Sequence, residues 1–461
     1  MNRHALWLLV LLTGCPDRTI SEVPIAQGKV QVERYPAVER RNLDILFVID
    51  NSGSMEQEQN SLKANFGKFI SVLQSLEGGL PNIHLGVVTS DMGTSALDGN
   101  APGIGGCTGT GEGGTLRSLP GGGPNFLSDI DDGAGGRARN YSGNLTDAFA
   151  QLATVGINGC GIEQHLEAMK RALDGNPANN GFLRDDPNTI LAVVVIADED
   201  DCSLAENALF DGNQSDQRFG DRVNFKCAKQ GVQCDTPATD LETPGPRQDC
   251  YPRETDSQLT GLRRYVEFLN GLKTDPKSIV VAGIVGNVEP FATLSDRGVT
   301  VLDDSCEYNS PTGERQFAYP AIRIAGFLDQ FPDRNLTTTI CSGDLSQPLV
   351  DIGRLINNAK GNPCLDLQLA DVSPADGNQY DCTVLEVRSL PDGSDQELGV
   401  IAQCDANRSK VPCWHIEESP ERCEFTAAPH LELMIERDAV PAPDVYIKAS
   451  CVTSNPTGSL E

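Results

Sequence analysis

Two short stretches of the chain carry residues that could do chemistry together. The first is Asp50-Asn51-Ser52-Gly53-Ser54, directly after the apolar run Leu43-Asp44-Ile45-Leu46-Phe47-Val48-Ile49. The second is Asp198-Glu199-Asp200-Asp201, directly after Ile190–Ala197. A carboxylate and two hydroxyls on one tight turn, facing a carboxylate from another strand, make an all-oxygen cluster of the kind that hard divalent cations take. Taken singly, Asp50, Ser52 and Ser54 read as caps of the next helix. Their shared position with the second cluster, each at a strand end, favours the cation reading.

Elements must exist to hold these clusters. The runs Leu43–Ile49, Ile83–Thr89, Ile190–Ala197 and Ser278–Val285 are continuous enough to be strands buried on both faces. Helical spacing appears over Met55–Leu76, Leu145–Leu152, Ile162–Leu173, Gln258–Leu272 and Leu345–Ala359. Strands alternating with helices predict an α/β class, a doubly wound, mostly parallel sheet flanked by helices. In such a sheet a site sits in the crevice outside the carboxyl ends of the strands.

The stretch FVIDNSGSM resembles the metal-ion-dependent adhesion site of the von Willebrand factor type A domain, over about residues 41–360. The resemblance implies that Ser52 and Ser54 are direct ligands and that Asp50 and Asp198 hold the metal directly or through water. That family also supplies a Thr before a helix. The matching stretch Asn158-Gly159-Cys160-Gly161-Ile162-Glu163 has Cys160 there, so water or Glu163 takes that place, with Asp200 as a further shell candidate. The implied cofactor is Mg²⁺, Ca²⁺ or Mn²⁺. The implied partner is a protein presenting an Asp or Glu carboxylate.

Composition limits the alternatives. Lys+Arg 36 against Asp+Glu 65 gives a net charge of −29, which disfavours nucleic acid as a partner. The 15 cysteines point to an oxidising compartment. Met1–His4 followed by the short apolar run Ala5–Leu12 reads as a secretory signal, residues 1–14, ending in a lipobox-like Leu12-Thr13-Gly14-Cys15. Cys15 is then the lipidation site, 15–41 a tether, and the bacterial envelope, with the outer membrane favoured, the address. The other fourteen cysteines allow seven disulfides, eight cysteines lying in Cys107–Cys341 and six in Cys364–Cys451. A boundary near Asn362-Pro363 separates the domain at 42–361 from a Cys-rich β module at 362–461. Long insertions at 91–142 and 199–255 are expected to be stapled loops that choose the partner.

Catalysis finds little support. Gly109–Gly114 fits GxGxxG but neither ends a strand nor opens a helix, and no P-loop occurs. The haloacid dehalogenase pattern needs a second Asp where Ser52 stands. None of His84, His165, His415 and His430 lies in a catalytic motif, and His84 reads as structural. The expectation is a lipid-anchored binding or adhesion protein and not an enzyme. A metal-independent scaffold or a metal-dependent hydrolase is the alternative.

Overall fold

Side-chain alternation along the central strands decides how their sheet is covered. Leu43, Ile45, Phe47 and Ile49 enter one buried cluster with Phe66, Phe69 and Phe149, while Leu46 and Val48 enter a second with Leu166, Phe327 and Phe331. Strand residues of alternate parity face opposite sides of a sheet, so apolar side chains at every position require cover on both. In this computed structural model the described residues are 30–453, apart from 38–39, 75–78, 94–106, 108, 187, 206–222, 238–239, 274, 311–312, 333, 361–363, 366–368, 371–378, 391–393, 421–422, 424–425, 427, 440 and 443. The signal sequence, Cys15 and most of the expected tether lie outside them, as does the Asn362-Pro363 boundary.

The central sheet runs in the order Asn335–Thr339, Ile279–Val285, Thr189–Ala197, Asn42–Ile49, Asn82–Thr89, Leu127–Asp131 and Arg137–Arg139. Its first five strands are parallel and the last two antiparallel. The helices are α1 (Glu56–Gln74), α2 (Leu145–Leu152), α3 (His165–Leu173), α4 (Val223–Gly231), α5 (Arg263–Asn270), α6 (Ile322–Leu328) and α7 (Ser346–Lys360). Residues of α1, α2 and α7 pack on one face of the sheet and those of α3, α5 and α6 on the other.

The expected class is nevertheless overturned. The chain as a whole is mostly β: its described residues form twenty strands in four sheets, two of them mixed, against seven helices. The strong apolar runs dominated the sequence reading, whereas added strands such as Gly245–Pro252 and Asp395–Gln403 leave most positions exposed or half-exposed. The insertion at 199–255 contributes α4, Val232–Thr236 and Gly245–Pro252, which join Phe291–Asp296 and Val299–Leu302 in a four-stranded sheet. Cys306–Asn309 and Arg315–Ala318 form a separate hairpin.

The fourth sheet has seven strands, in the order Val30–Pro36, Val445–Val452, Cys382–Ser389, Asp395–Gln403, Cys413–Glu418, Leu431–Glu436 and Cys364–Leu365. Val30–Pro36, assigned above to the tether, is therefore a strand paired antiparallel with Val445–Val452. All fourteen cysteines other than Cys15 are bridged: Cys107–Cys160, Cys202–Cys227, Cys234–Cys250, Cys306–Cys341, Cys364–Cys423, Cys382–Cys451 and Cys404–Cys413. No bridge crosses between the two cysteine groups. Among the described residues no helix is long and apolar enough to cross a membrane.

Candidate metal centre

Parallel pairing in register brings the two acidic strand ends together. Ile49 pairs with Ile196, and the Asp50 amide donates to the Ile196 carbonyl at 3.0 Å, so Asp50 and Asp198 leave the sheet side by side. The chain turns sharply after Asp50, whose Oδ1 accepts from the Ser52 amide at 2.7 Å and from Ser90 Oγ at 3.5 Å. A single 3-10 turn, Gly53–Met55, then leads into α1. The Ser52 and Ser54 hydroxyls stand 3.0 Å apart. Ser54 also hydrogen-bonds the Asp198 carboxyl.

Neighbouring loops lock this turn. The Gly159 amide donates to the Asn51 carbonyl at 2.9 Å, and a Cβ on Gly159 would lie 2.1 Å from Asn51 Oδ1. A larger residue there would have to displace the Asn51 side chain. Gln164 N donates to Ser90 O at 3.1 Å, Cys202 N to Glu163 O at 2.7 Å, and Tyr319 N to Asp198 O at 2.8 Å. Cys160, at the position where the resemblance calls for Thr, is buried in its bridge to Cys107.

Carboxyls crowd the interior of this cluster. Burial, then Asp50 and Glu199, push the Asp198 carboxyl well above its usual range. Burial, then Glu199 and Asp50, do the same to Glu163. Glu199 is pushed up to about 7, chiefly by burial, and shares a hydrogen bond with Glu163. Glu58, on the first turn of α1, is raised by burial and takes a 2.9 Å hydrogen bond from the Tyr308 hydroxyl. Asp50 Oδ2, Asn51 Oδ1, Glu58 Oε2 and Asp198 Oδ1 are buried without a hydrogen-bond partner. Buried oxygens of this kind are normally satisfied.

His165 stands beneath Asp50, its Nε2 3.9 Å from Asp50 Oδ2, and burial holds its imidazole below the usual value. Asp200 turns its carboxylate to the start of α6, accepting from Arg323 N at 2.9 Å and Ile324 N at 3.0 Å. Burial pushes it up to about 7 against the pull of those donors. Asp201 forms a buried 3.0 Å ion pair with Arg323.

Among the described residues, no three His, Cys, Asp or Glu side chains stand close enough to share a metal ion. The donor set that fits a hard cation has two carboxylates, Asp50 and Asp198, with the hydroxyls of Ser52 and Ser54. Its unsatisfied oxygens suit a positive charge. Glu163 and Glu199 border the same space. Ser52, Ser54, Glu163 and Glu199 line a cleft of about 430 Å³ whose other walls include Asn224, Asp296, Val301, Leu302 and Tyr319. Sequence reasoning missed Glu58, His165 and this far wall; Glu199 was visible in the acidic run.

No protein-family model matches this chain, and no curated protein matches it. Among solved structures it is similar to the conserved hypothetical protein BatB from Bacteroides thetaiotaomicron, at 10% identity and TM-score 0.29, over 69% of this chain and 98% of that one. An aerotolerance-related membrane protein from Bacteroides fragilis matches at 10% identity and TM-score 0.27, over 68% and 98%. The pilus adhesin RrgA from Streptococcus pneumoniae matches at 10% and 0.26, over 92% of this chain and 57% of that one. Similarity at this level assigns the chain to no family.

Proposed function

We propose that the protein is a binding protein of the bacterial envelope, tethered through a lipid on Cys15, that engages an acidic group on a protein partner at the cleft lined by Ser52 and Ser54, through a cation held with Asp50 and Asp198. The observation that carries this reading is the pair of buried, unpartnered oxygens, Asp50 Oδ2 and Asp198 Oδ1, on carboxylates whose neighbours Ser52 and Ser54 line an open cleft. A divalent cation bound there supplies the positive charge that these oxygens lack and that an acidic partner needs. Asp50 and Asp198 hold the charge, Ser52 and Ser54 orient toward it, and the Glu163–Glu199 pair lines the space beside it. The loops tied by Cys107–Cys160 and Cys202–Cys227 fix the cleft mouth.

The DxSxS resemblance agrees with this donor set. The test is binding of envelope proteins to the immobilised full chain with Mg²⁺, Ca²⁺ or Mn²⁺, then with chelator, then with metal restored. Binding that requires metal and disappears in Asp50→Ala supports the reading. Chelator-insensitive binding that Asp50→Ala leaves unchanged replaces it with a metal-independent scaffold.

A further inference from the structure

At the amino ends of the central strands, opposite the carboxylate cluster, a second cavity lies in the seam with the C-terminal sheet. Its volume is about 720 Å³, within the range of small-molecule sites. Four cations line it: Arg34 from the first strand, Lys277 and Arg334 from loops before two central strands, and Lys448 from the last strand. They are brought together from separate parts of a chain whose net charge is −29.

The acids on the same walls are Glu33, Asp275 and Asp395. Asp275 is already held by Arg40 at 2.8 Å and by the Tyr446 hydroxyl. Asp395 Oδ1 is shared by two cations, Arg34 at 2.9 Å and Lys277 at 3.1 Å. Arg334 gives its guanidinium to backbone carbonyls, one of them Ile279 O at 3.3 Å. Lys448 has no ion-pair partner among the described residues. Arg34 stacks on the Tyr446 ring at 3.8 Å, and Lys277 Nζ lies 5.6 Å from the same ring. Burial and the nearby Arg34 push the Lys277 ammonium below its usual range. A compact anion would relieve this crowding, and guanidinium and ammonium groups together suit phosphoryl oxygens. Pro36, Leu355 and Ala359 add apolar wall for a carbon skeleton.

We propose that this seam cavity binds a phosphate-bearing small molecule, its phosphoryl group between Arg34, Lys277, Arg334 and Lys448 and its carbon part against the apolar wall. The proposal is independent of the cation centre, so titrations are run in chelator. Calorimetry of the full chain with glycerol 3-phosphate should show one site, and glycerol at equal concentration should give no heat. Lys448→Met, on a partly exposed strand position, should bind roughly tenfold or more weakly, the usual scale for losing a charged hydrogen-bond donor. Flotation of the Cys15→Ser chain with phosphatidylglycerol vesicles, against phosphatidylcholine vesicles, separates a lipid source from a soluble one. Absence of saturable heat, or equal affinity in a Lys448→Met chain with unchanged melting temperature, overturns the proposal.

Discussion

Single residues at the candidate centre are arranged against their own stability. Asp198 and Glu163 are carboxyls held above their usual range by burial and by the nearby Asp50 and Glu199 carboxyls. The unfolded chain releases their protons more readily than the folded one, so rising pH costs stability when no cation is present. Asp198→Asn should therefore melt at or above the wild-type temperature in chelator. It should also lose the gain that divalent cation gives the wild type, about 2.7 kcal/mol at a hundredfold excess over Kd. Differential scanning calorimetry with and without Ca²⁺ checks both halves, and a cation gain retained in Asp198→Asn would contradict the assignment. His84 gives a prediction of opposite sense. Its Nδ1 meets the Phe182 carbonyl at 2.8 Å and Asp44 at 3.6 Å, while burial holds its pKa below the usual value. The unfolded imidazole protonates near pH 6.5 while the folded one resists, so stability falls as pH drops below that point. His165 titrates in both proteins and cancels in the difference. The stability gap between wild type and His84→Gln should narrow from pH 8 to pH 5, as chemical denaturation would show.

Elements were legible where burial made them emphatic. Leu43–Ile49 was read almost to the residue because a strand covered on both faces is apolar at every position, and the observed strand is Asn42–Ile49. From it, and from Ile190–Ala197, the strand-end placement of Asp50, Ser52, Ser54 and Asp198 followed. Val30–Pro36 was lost to the tether because its mixed charges mask the alternation and its partner, Val445–Val452, lies at the far end of the sequence. Helix α6 was invisible for another reason: it is short, and all but one of its residues are buried, so it has no polar face to set a period. The cleft's far wall comes from α4 and the four-stranded sheet, long-range pairings that no local pattern encodes. Covalent ties compensate for the irregular loops. Cys107–Cys160 fastens the glycine-rich insertion beside the Asp50 turn across 53 residues. Changing both to Ser should cost about 2–4 kcal/mol and weaken the cation response without removing Asp50 or Asp198. Guanidinium melts monitored in parallel with Ca²⁺ titration measure the two effects separately; an unchanged melt would show that the insertion holds itself in place.

On the scale of the molecule, two bodies of unequal strength share one seam. The central sheet owns two large apolar clusters, rich in Phe, on its opposite faces. The C-terminal sheet has one smaller cluster around Val384, Ile401, Trp414, Leu433 and Ile447, and its strand Asp395–Gln403 buries only Ile401. Small cores of this kind usually depend on covalent bridges. Three are present, Cys364–Cys423, Cys382–Cys451 and Cys404–Cys413, spanning 59, 69 and 9 residues. The first two close long loops and so restrict the unfolded ensemble most. Arg40 braces the seam from the central side, bonding Ser278 Oγ, Asp275 and the Tyr446 hydroxyl, each at 2.8 Å. That brace holds the last strand in place only while the strand itself persists. Reduction under native conditions should therefore release the C-terminal sheet first. Amides of Val445–Val452 and Cys382–Ser389 should gain rapid deuterium exchange in reductant while those of Asn42–Ile49 and Thr189–Ala197 stay protected, because the central strands are buried on both faces. Mass-spectrometric exchange of the full chain before and after reduction reads this order. Loss of protection in the central strands at the same rate would mean that the two bodies unfold as one cooperative unit and that the seam, not the bridges, sets the stability of the smaller body.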